Sequence, residues 1–300
     1  MDKHLMESIS HLSNAKEIVE LKKGYSNDQK YVIDQKYLLR IFPMEEAAKR
    51  QNEFISLNRL YELSKYVPKG LEFGDIDDLQ KAYMVLTFLP GIDAEEGLSK
   101  LTEVQQYAAG VSAGSELKKL HTLSAPLDQP AWEHVKVEKI NNYMLEFKEL
   151  DIDQNIMEFL QMYIESNLYL MKDRPNKFQH DDFHPSNLLL HNNSFSGIID
   201  FQRMDWGDPI HDLQKLGFFS KQVSIEFTKG ILDGYHDGQF IEDTFWKLYS
   251  FYSAVHIVSA LVWGKKRSQS QFDLLLNYSF DVLKDHENFR CIIPNWYSRN

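Results

Sequence analysis

The stretch from residue 178 to residue 213 reads FQHDDFHPSNLLLHNNSFSGIIDFQRMDWGDPIHDL. Two short apolar runs within it, Leu188 to Leu190 and Ser196 to Ile199, are separated by a polar segment. Apolar runs of this length on either side of a polar turn are typical of a β-hairpin. The two open ends of a hairpin lie side by side, so the side chains before the first strand and after the second are expected to meet.

The polar side chains that this hairpin would bring together are Asp182, Asn187 and Asp200. Kinase chemistry needs such a set, because one carboxylate orients the attacking hydroxyl and accepts its proton. Two further oxygen-bearing groups hold Mg²⁺, which prefers carboxylate and amide oxygens. The stretch therefore predicts a phosphoryl-transfer site.

The pattern His180-x-Asp182-x-x-x-x-Asn187, followed by Ile199-Asp200-Phe201, resembles the catalytic and metal motifs of the aminoglycoside phosphotransferase and choline kinase families. The resemblance implies a protein-kinase-like fold, with Asp182 as the catalytic base and with Asn187 and Asp200 as Mg²⁺ ligands. It also implies that His180 braces the catalytic loop.

The resemblance continues on both sides of this stretch. Downstream, Gly207-Asp208-Pro209-x-x-Asp212-Leu213 resembles the family segment after the metal-binding Asp, which implies structural roles for Asp208 and Asp212. Upstream, Gly24-Tyr25-Ser26-Asn27 resembles the phosphate-covering turn, and Leu38 to Ile41 resembles the third strand.

The upstream match implies a set of nucleotide-binding residues, namely Gly24, Ser26, Asn27, Arg40 and Glu53. Arg40 would grip the phosphates in place of the commoner Lys, and Glu53 would be its ion-pair partner. Arg stays charged and binds phosphate strongly, so this departure from the family keeps the essential group. Two other departures are Asp181, where the family often has Gly, and Gln202, where protein kinases have Gly after Asp-Phe; the second predicts a less mobile metal loop.

Periodicity divides the chain into two lobes. Lys30 to Ile33 and Tyr37 to Phe42 predict one hairpin, and the runs 71–74 and 82–88 predict a second. A helix is predicted from Glu45 to Leu63. After a linker at Thr87 to Gly91, the segments 102–123 and 135–171 read as helical. We therefore expect an α/β (α+β) fold, with a small β-rich nucleotide-binding lobe over residues 1–89 and a larger helical lobe for catalysis and substrate binding over residues 90–300.

Composition limits the class of protein. The chain has 300 residues, a net charge of −11 and a single cysteine, Cys291, which excludes an intrachain disulfide and fits the cytoplasm. The acidic balance argues against nucleic acid as a partner. The N-terminus lacks the apolar segment of a secretory signal. The most apolar run, Ala254 to Trp263, is too short to span a membrane and predicts a buried helix.

The interpretation that follows is a small-molecule kinase that transfers the γ-phosphate of ATP or GTP to a substrate hydroxyl. An acidic chain would suit a cationic substrate such as an aminoglycoside, but kinases of choline, thio-sugars, homoserine and macrolides share the architecture. Substrate is expected near Asp182 and two late helices, at 242–264 and 270–285. Two other classes stay open: a nucleotide-binding module without turnover, and a metal-dependent hydrolase built on His180, Asp182 and His184. The sequence gives no indication of the oligomeric state.

Overall fold

The computed structural model of the protein describes residues 9 to 22, 28 to 76 and 79 to 297. Three of the expected nucleotide-binding residues, Gly24, Ser26 and Asn27, lie outside the described residues. Arg40, Glu53, Asp182, Asn187 and Asp200 all lie within them.

The N-terminal part is a five-stranded antiparallel sheet. Its strands in chain order are β1 (Ile18–Glu20), β2 (Gln29–Ile33), β3 (Tyr37–Pro43), β4 (Gly70–Ile76) and β5 (Lys81–Thr87). Across the sheet the order is β1-β2-β3-β5-β4. Both predicted hairpins are present, because β2 pairs with β3 and β4 pairs with β5.

The two faces of this sheet have different partners. Side chains alternate along a strand, so Leu39 and Ile41 of β3 face an outer cluster with Ile9 and Leu12. Phe42 lies on the other face and packs on the helix α1 (Ala47–Leu63), which buries a face that includes Leu57 and Leu60. Arg40 lies two residues before Phe42 on β3, so its side chain is expected on the same inner face of the sheet, beside α1.

The C-terminal part is mostly helical. Its helices are α2 (Ala94–Gly97), α3 (Glu103–Leu120), α4 (Trp132–Phe147), α5 (Gln154–Asn167), α6 (Ile210–Leu213), α7 (Lys221–Val223), α8 (Ile225–Tyr235), α9 (Asp243–Arg267) and α10 (Gln269–Asp285). Short 3₁₀ turns span Ser10–Leu12, Met44–Glu46, Leu98–Lys100, Leu168–Met171, Pro185–Asn187, Phe201–Arg203 and Asn295–Tyr297, and a π-helical turn spans Leu216–Ser220.

The later strands form two small sheets. One has the order β6-β8-β9, from β6 (Ile92–Asp93), β8 (Leu188–His191) and β9 (Ser194–Ile198). The other pairs β7 (Lys177–Gln179) with β10 (Asp205–Gly207). The predicted hairpin is therefore present as β8 and β9. β7 precedes this hairpin in the chain and β10 follows it, and the pairing of β7 with β10 joins the two ends of the segment between them.

Close packing of α3 against α8 depends on glycine. A Cβ at Gly110 would lie 2.2 Å from the Phe227 carbonyl oxygen, and a Cβ at Gly230 would lie 2.3 Å from the Tyr107 carbonyl oxygen. Both distances are far below van der Waals contact, so only glycine lets the two backbones approach this closely. The buried side chains of α3 and α8 join one continuous core that also includes Phe42, Leu57 and residues of β8 and β9.

The structure confirms the fold class, with a β-sheet N-terminal region followed by a helical part. The predicted element limits were wrong in two places. The helix expected from Glu45 begins at Ala47, after the 3₁₀ turn, and the helical region 135–171 is split by the segment between Phe147 and Gln154. The buried helix expected at Ala254 to Trp263 is the middle of α9. The division of the chain at residue 89 stays a prediction. Within the described part of the chain, no helix is long and apolar enough to cross a bilayer.

Candidate active site

Asp182 lies on the loop between β7 and the 3₁₀ turn that leads into β8. Its carboxylate is surrounded by nitrogen-bearing groups: Lys215 Nζ is 2.8 Å from Oδ1, His184 Nε2 is 3.4 Å from Oδ1, and Arg203 Nε is 3.8 Å from Oδ2. The side chain of Lys215 is 7% exposed and that of Asp182 is 18% exposed. One side of the carboxylate is therefore accessible to solvent, while the buried Lys215 ammonium binds its Oδ1.

Asp182 stays ionised in this setting. Burial by itself would raise the pKa of the carboxyl group, but the Lys215 ammonium and the His184 imidazole lower the pKa to well below its usual range. A carboxylate that is always ionised can accept a hydrogen bond from a hydroxyl at any working pH. Because its basicity is low, the Asp182 carboxylate contributes mainly by orienting the hydroxyl. This suits a phosphoryl transfer with a loose transition state.

The backbone of the catalytic loop is fixed by Asp212, which is fully buried on α6. Its Oδ2 accepts the backbone N–H of His180 at 2.6 Å, and its Oδ1 accepts that of Asp181 at 2.7 Å. His121 Nε2 donates a third hydrogen bond at 3.0 Å. The structural role that the resemblance implied for Asp212 therefore consists of holding this loop from underneath.

His180 braces the loop from the other side. Its Nε2 lies 2.9 Å from the Ile199 carbonyl oxygen, and its Nδ1 accepts the backbone N–H of Asp182. Burial lowers the pKa of this imidazole, which agrees with a neutral ring that donates through Nε2. Both ring nitrogens are occupied, so His180 is not available as a metal ligand, and the hydrolase built on His180, Asp182 and His184 loses a required group.

Asp181 points away from this arrangement. Its backbone is left-handed, with φ +57°, and its carboxylate lies 3.4 Å from His211 Nδ1. Asp181, His211 and Asp212 offer ligand atoms within 4.8 Å of one another, but both oxygens of Asp212 already accept hydrogen bonds. This group of side chains therefore does not fit a Mg²⁺ site.

Asn187 and Asp200 are brought together by the hairpin. The backbone N–H of Ile199, next to Asp200, donates to the Asn187 carbonyl oxygen at 2.9 Å. Asn187 Nδ2 donates to the Asp182 carbonyl oxygen at 2.9 Å, which joins the amide to the catalytic loop through its nitrogen. Asp200 has a left-handed backbone, with φ +65°. A carboxylate and an amide oxygen, carried by two segments whose backbones are hydrogen-bonded, are the kinds of donor that Mg²⁺ binds.

On the nucleotide side, Arg40 and Glu53 form the expected ion pair, with 2.6 Å between Arg40 Nη1 and Glu53 Oε1. The pair belongs to a larger buried cluster. Asp28 bonds Arg40 Nη2 at 2.6 Å and Arg50 Nη2 at 3.0 Å, and Arg50 Nη1 lies 3.3 Å from Glu53 Oε2. Glu46 Oε2 also lies 2.7 Å from Arg50 Nη2, so two cations and three carboxylates form one ion-pair network beside β3 and α1.

Gln202 connects this cluster to the metal loop. Its Nε2 donates to Asp28 Oδ2 at 3.2 Å, so the residue that replaces the kinase glycine ties the segment after Asp200 to the N-terminal sheet. The lower mobility of the metal loop that the missing glycine suggested stays a prediction.

Sequence reasoning missed three residues of the site: Lys215, Asp28 and Arg50. Lys215 follows Asp212 by three positions, and this spacing places two side chains on one side of a helix. Since Asp212 was expected to anchor the loop, that spacing could have indicated Lys215. Arg50 lies four positions after Glu46 and three before Glu53, and these helical spacings could have indicated its ion pairs. Asp28 carries no such signal, because it is defined by contacts with distant segments.

A buried lysine lies behind the catalytic loop. Lys136 of α4 is 8% exposed, and its Nζ lies 2.5 Å from His211 Nε2 and 5.3 Å from the centre of the Trp132 ring. Among the residues that the structure describes, no carboxylate lies within 4 Å of this ammonium. Burial lowers the pKa of Lys136 from 10.5 to about 8. The charge is therefore buried at a cost to stability.

Replacing Lys136 with Met is expected to stabilise the fold at pH 7. The pKa is lower in the folded chain than in the unfolded chain, so protonation favours unfolding at every pH below 8, and the penalty disappears as the pH rises from 8 to 10.5. At ~1.4 kcal/mol for each pKa unit, the gain in the free energy of unfolding is up to about 3 kcal/mol. Urea unfolding at pH 7 and pH 10 measures it, with the exposed Lys148→Met as a control that should change little. A less stable Lys136→Met protein at pH 7 would mean that the ammonium is compensated.

Comparison with known proteins identifies the family and the fold. Residues 17–246 match the model of the phosphotransferase enzyme family. No curated protein matches the sequence. Among solved structures, the chain is similar to the GDP and kanamycin complex of APH(2″)-IIIa, with 18% identity, coverage of 94% of this chain and 98% of that one, and a TM-score of 0.71.

Two further structures show the same fold. The ADP-bound aminoglycoside phosphotransferase APH(2″)-Ib is 18% identical over 100% of both chains, with a TM-score of 0.66. A thermostable mutant of aminoglycoside phosphotransferase APH(4)-Ia, in a ternary complex with AMP-PNP and hygromycin B, is 14% identical over 95% of this chain and 98% of that one, with a TM-score of 0.68. The family match covers more than two thirds of the sequence, and the chain therefore belongs to the phosphotransferase enzyme family, whose members transfer a phosphoryl group to a hydroxyl acceptor.

Proposed function

We propose that this enzyme transfers the γ-phosphate of ATP or GTP to a hydroxyl group of a small molecule, with Mg²⁺ as cofactor. The observation that carries the proposal is the arrangement at the open ends of β8 and β9, where an ionised Asp182 lies beside Asn187 and the segment that carries Asp200. The similar solved structures contain GDP, ADP or AMP-PNP, which supports a nucleotide as the donor.

In this proposal each residue of the site has one task. Asp182 accepts a hydrogen bond from the acceptor hydroxyl, orients its oxygen towards the phosphorus and takes the proton as the new bond forms. Asn187 and Asp200 would hold Mg²⁺, which offsets the charge of the phosphate oxygens when it is bound. Lys215 keeps Asp182 ionised and fixes its rotamer, while Asp212 and His180 keep the loop in place.

Two observations bear on the acceptor. The net charge of −11 and the kanamycin and hygromycin B in similar structures favour a cationic aminoglycoside, which would give the enzyme a role in antibiotic resistance. The immediate surroundings of Asp182 favour a less cationic metabolite, because Lys215, His184 and Arg203 all lie within 4 Å of its carboxylate. A metabolite kinase is therefore the second candidate.

The single cysteine supports a reducing compartment such as the cytoplasm.

The test combines binding with turnover. Nucleotide at about 100 times its Kd, together with Mg²⁺, should add about 2.7 kcal/mol to the free energy of unfolding and raise Tm by several degrees. The enzyme is then assayed with ATP and with GTP against aminoglycosides, macrolides, choline, thio-sugars and homoserine. Phosphorylation of one acceptor class identifies the substrate and confirms the proposed function.

A matched variant checks the metal assignment. Asp200→Asn keeps the size of the side chain and tolerates the left-handed backbone, so it should fold normally and lose most of the Mg²⁺-dependent part of the Tm increase. A Tm that is unchanged by both nucleotides in the wild-type protein would contradict the proposed function. Binding without turnover on every acceptor would instead favour a nucleotide-binding module.

A further inference from the structure

The 3₁₀ turn Phe201–Arg203 follows Asp200 directly, and its first two side chains attach it to different parts of the site. Phe201 is 2% exposed, and its ring lies edge-on against His180, with 4.8 Å between the ring centres. Gln202 Nε2 donates to Asp28 Oδ2 at 3.2 Å. The turn is therefore attached both to the catalytic loop and to the segment directly before β2.

Arg203, the third residue of this turn, lies beside the catalytic carboxylate. Its Nε is 3.8 Å from Asp182 Oδ2, and its side chain is 55% exposed. Within the part of the chain that the structure describes, its guanidinium donates no hydrogen bond and has no other carboxylate within 4 Å. A guanidinium carries five N–H donors in a planar fork that matches phosphate oxygens. Arg203 therefore presents these donors at the position where the reaction is proposed to occur.

The two oxygens of the Asp182 carboxylate have different neighbours. Oδ1 lies 2.8 Å from the buried Lys215 ammonium and 3.4 Å from His184 Nε2. Oδ2 lies 3.4 Å from Asn187 Nδ2, so Arg203 and a proposed Mg²⁺ ligand flank the same oxygen. In the proposed reaction, the phosphoryl group passes between the acceptor oxygen at Asp182 and the Mg²⁺ ion. Arg203 therefore lies on the side of Asp182 where the phosphoryl group is transferred.

We propose that Arg203 is a further catalytic residue, which donates hydrogen bonds to the oxygens of the transferred phosphoryl group. As the bond from the acceptor oxygen to phosphorus forms, the bond from phosphorus to the leaving nucleoside diphosphate breaks, and the acceptor proton passes to Asp182. Negative charge is spread over the three equatorial phosphoryl oxygens in this transition state, and a guanidinium can contact two of them at once. This inference rests on the proposed function, because it names a contact within the same site.

The first measurement separates chemistry from binding. Arg203→Ala should lower kcat by about 10²-fold or more, the loss typical of removing one donor to a developing charge, and change the nucleotide Kd and the acceptor KM only a few-fold. Arg203→Lys should recover only part of kcat, because an ammonium cannot form two parallel hydrogen bonds. The matched control is Arg290→Ala, since Arg290 is exposed in the turn after α10, and its kinetic constants should equal those of the wild type.

A nucleotide with sulfur in place of one γ-oxygen tests the contact itself. Sulfur is a weak hydrogen-bond acceptor, so part of the wild-type loss of rate with this nucleotide should come from its weaker contact with Arg203. The ratio of the rates with the oxygen and the sulfur nucleotide should therefore be smaller in Arg203→Ala than in the wild type. A residue that acts only by orienting Asp182 would leave this ratio unchanged.

The outcomes distinguish the two proposals. If the wild-type protein neither binds ATP or GTP nor phosphorylates an acceptor, the proposed function fails. If the wild type is active and Arg203→Ala keeps kcat within a few-fold, only the assignment of Arg203 is overturned. A higher acceptor KM with unchanged kcat would overturn it by indicating a contact with the acceptor, and an unchanged sulfur ratio would overturn it by indicating a positioning role. Because the side chain is half exposed, the Tm of Arg203→Ala should stay near that of the wild type.

Discussion

Replacing Asp182 with Asn is expected to lower kcat by roughly 10²-fold or more and to leave the Kd of the nucleotide almost unchanged. The amide keeps the size of the side chain but cannot take the proton of the attacking hydroxyl, so the loss falls on the chemical step. Steady-state kinetics with the acceptor found by the screen measures kcat, and calorimetry measures the nucleotide Kd.

The adjacent Asp181 is the matched control. Its left-handed backbone suits Asn at least as well as Asp, and its carboxylate faces His211 rather than the open side of Asp182. Asp181→Asn should therefore reduce kcat only a few-fold, about 1 kcal/mol at most. An inactive Asp181→Asn beside an active Asp182→Asn would show that the neighbouring acid is the base.

Stability has to be measured for the same two proteins. In the described part of the chain, Asp182 is the only carboxylate that forms an ion pair with Lys215. Asp182→Asn therefore leaves a buried cation unpaired, which lowers stability. The Lys215 ammonium keeps its second contact, with the Asp181 carbonyl oxygen at 2.5 Å. We therefore expect a lower Tm with a folded protein at assay temperature, and circular dichroism distinguishes lost chemistry from lost fold.

The catalytic stretch was predictable because its information is local. Two apolar runs with a polar turn predict a hairpin, and the hairpin alone brings Asn187 next to the segment of Asp200. The pair of Arg40 and Glu53 was instead implied by the resemblance of the upstream segment to the kinase families, and the structure contains the ion pair. Chain spacing was sufficient only for the hairpin.

The rest of the site depends on contacts between distant segments. Asp28 joins Arg40, Arg50 and Gln202, which is 174 positions away, and no spacing rule connects them. The contacts of Arg40 and Arg50 with Asp28 therefore could not be predicted from the sequence. β7 and β10 were missed for a similar reason, because each has three residues and its pairing depends on the fold around it.

Replacing Asp212 with Ala is expected to destabilise the folded protein by about 3–5 kcal/mol, since it leaves two backbone N–H groups and His121 without an acceptor in the interior. Urea unfolding at pH 7 measures the loss. The exposed Asp151→Ala serves as the control and should stay within about 0.5 kcal/mol of the wild type.

The pH dependence identifies the cause of that loss. Burial would raise the pKa of Asp212, but the hydrogen bonds from His121 and from the His180 backbone lower it below its unfolded value of 3.8. A carboxyl group with a lowered pKa stabilises the folded state above the unfolded pKa, and this contribution is lost as the pH falls through the folded pKa. The difference between wild type and Asp212→Ala should therefore be constant from pH 7 to about pH 5 and shrink below pH 4. A difference that is under 1 kcal/mol at pH 7, or that grows in acid, would show that the ionised carboxylate does not hold the catalytic loop.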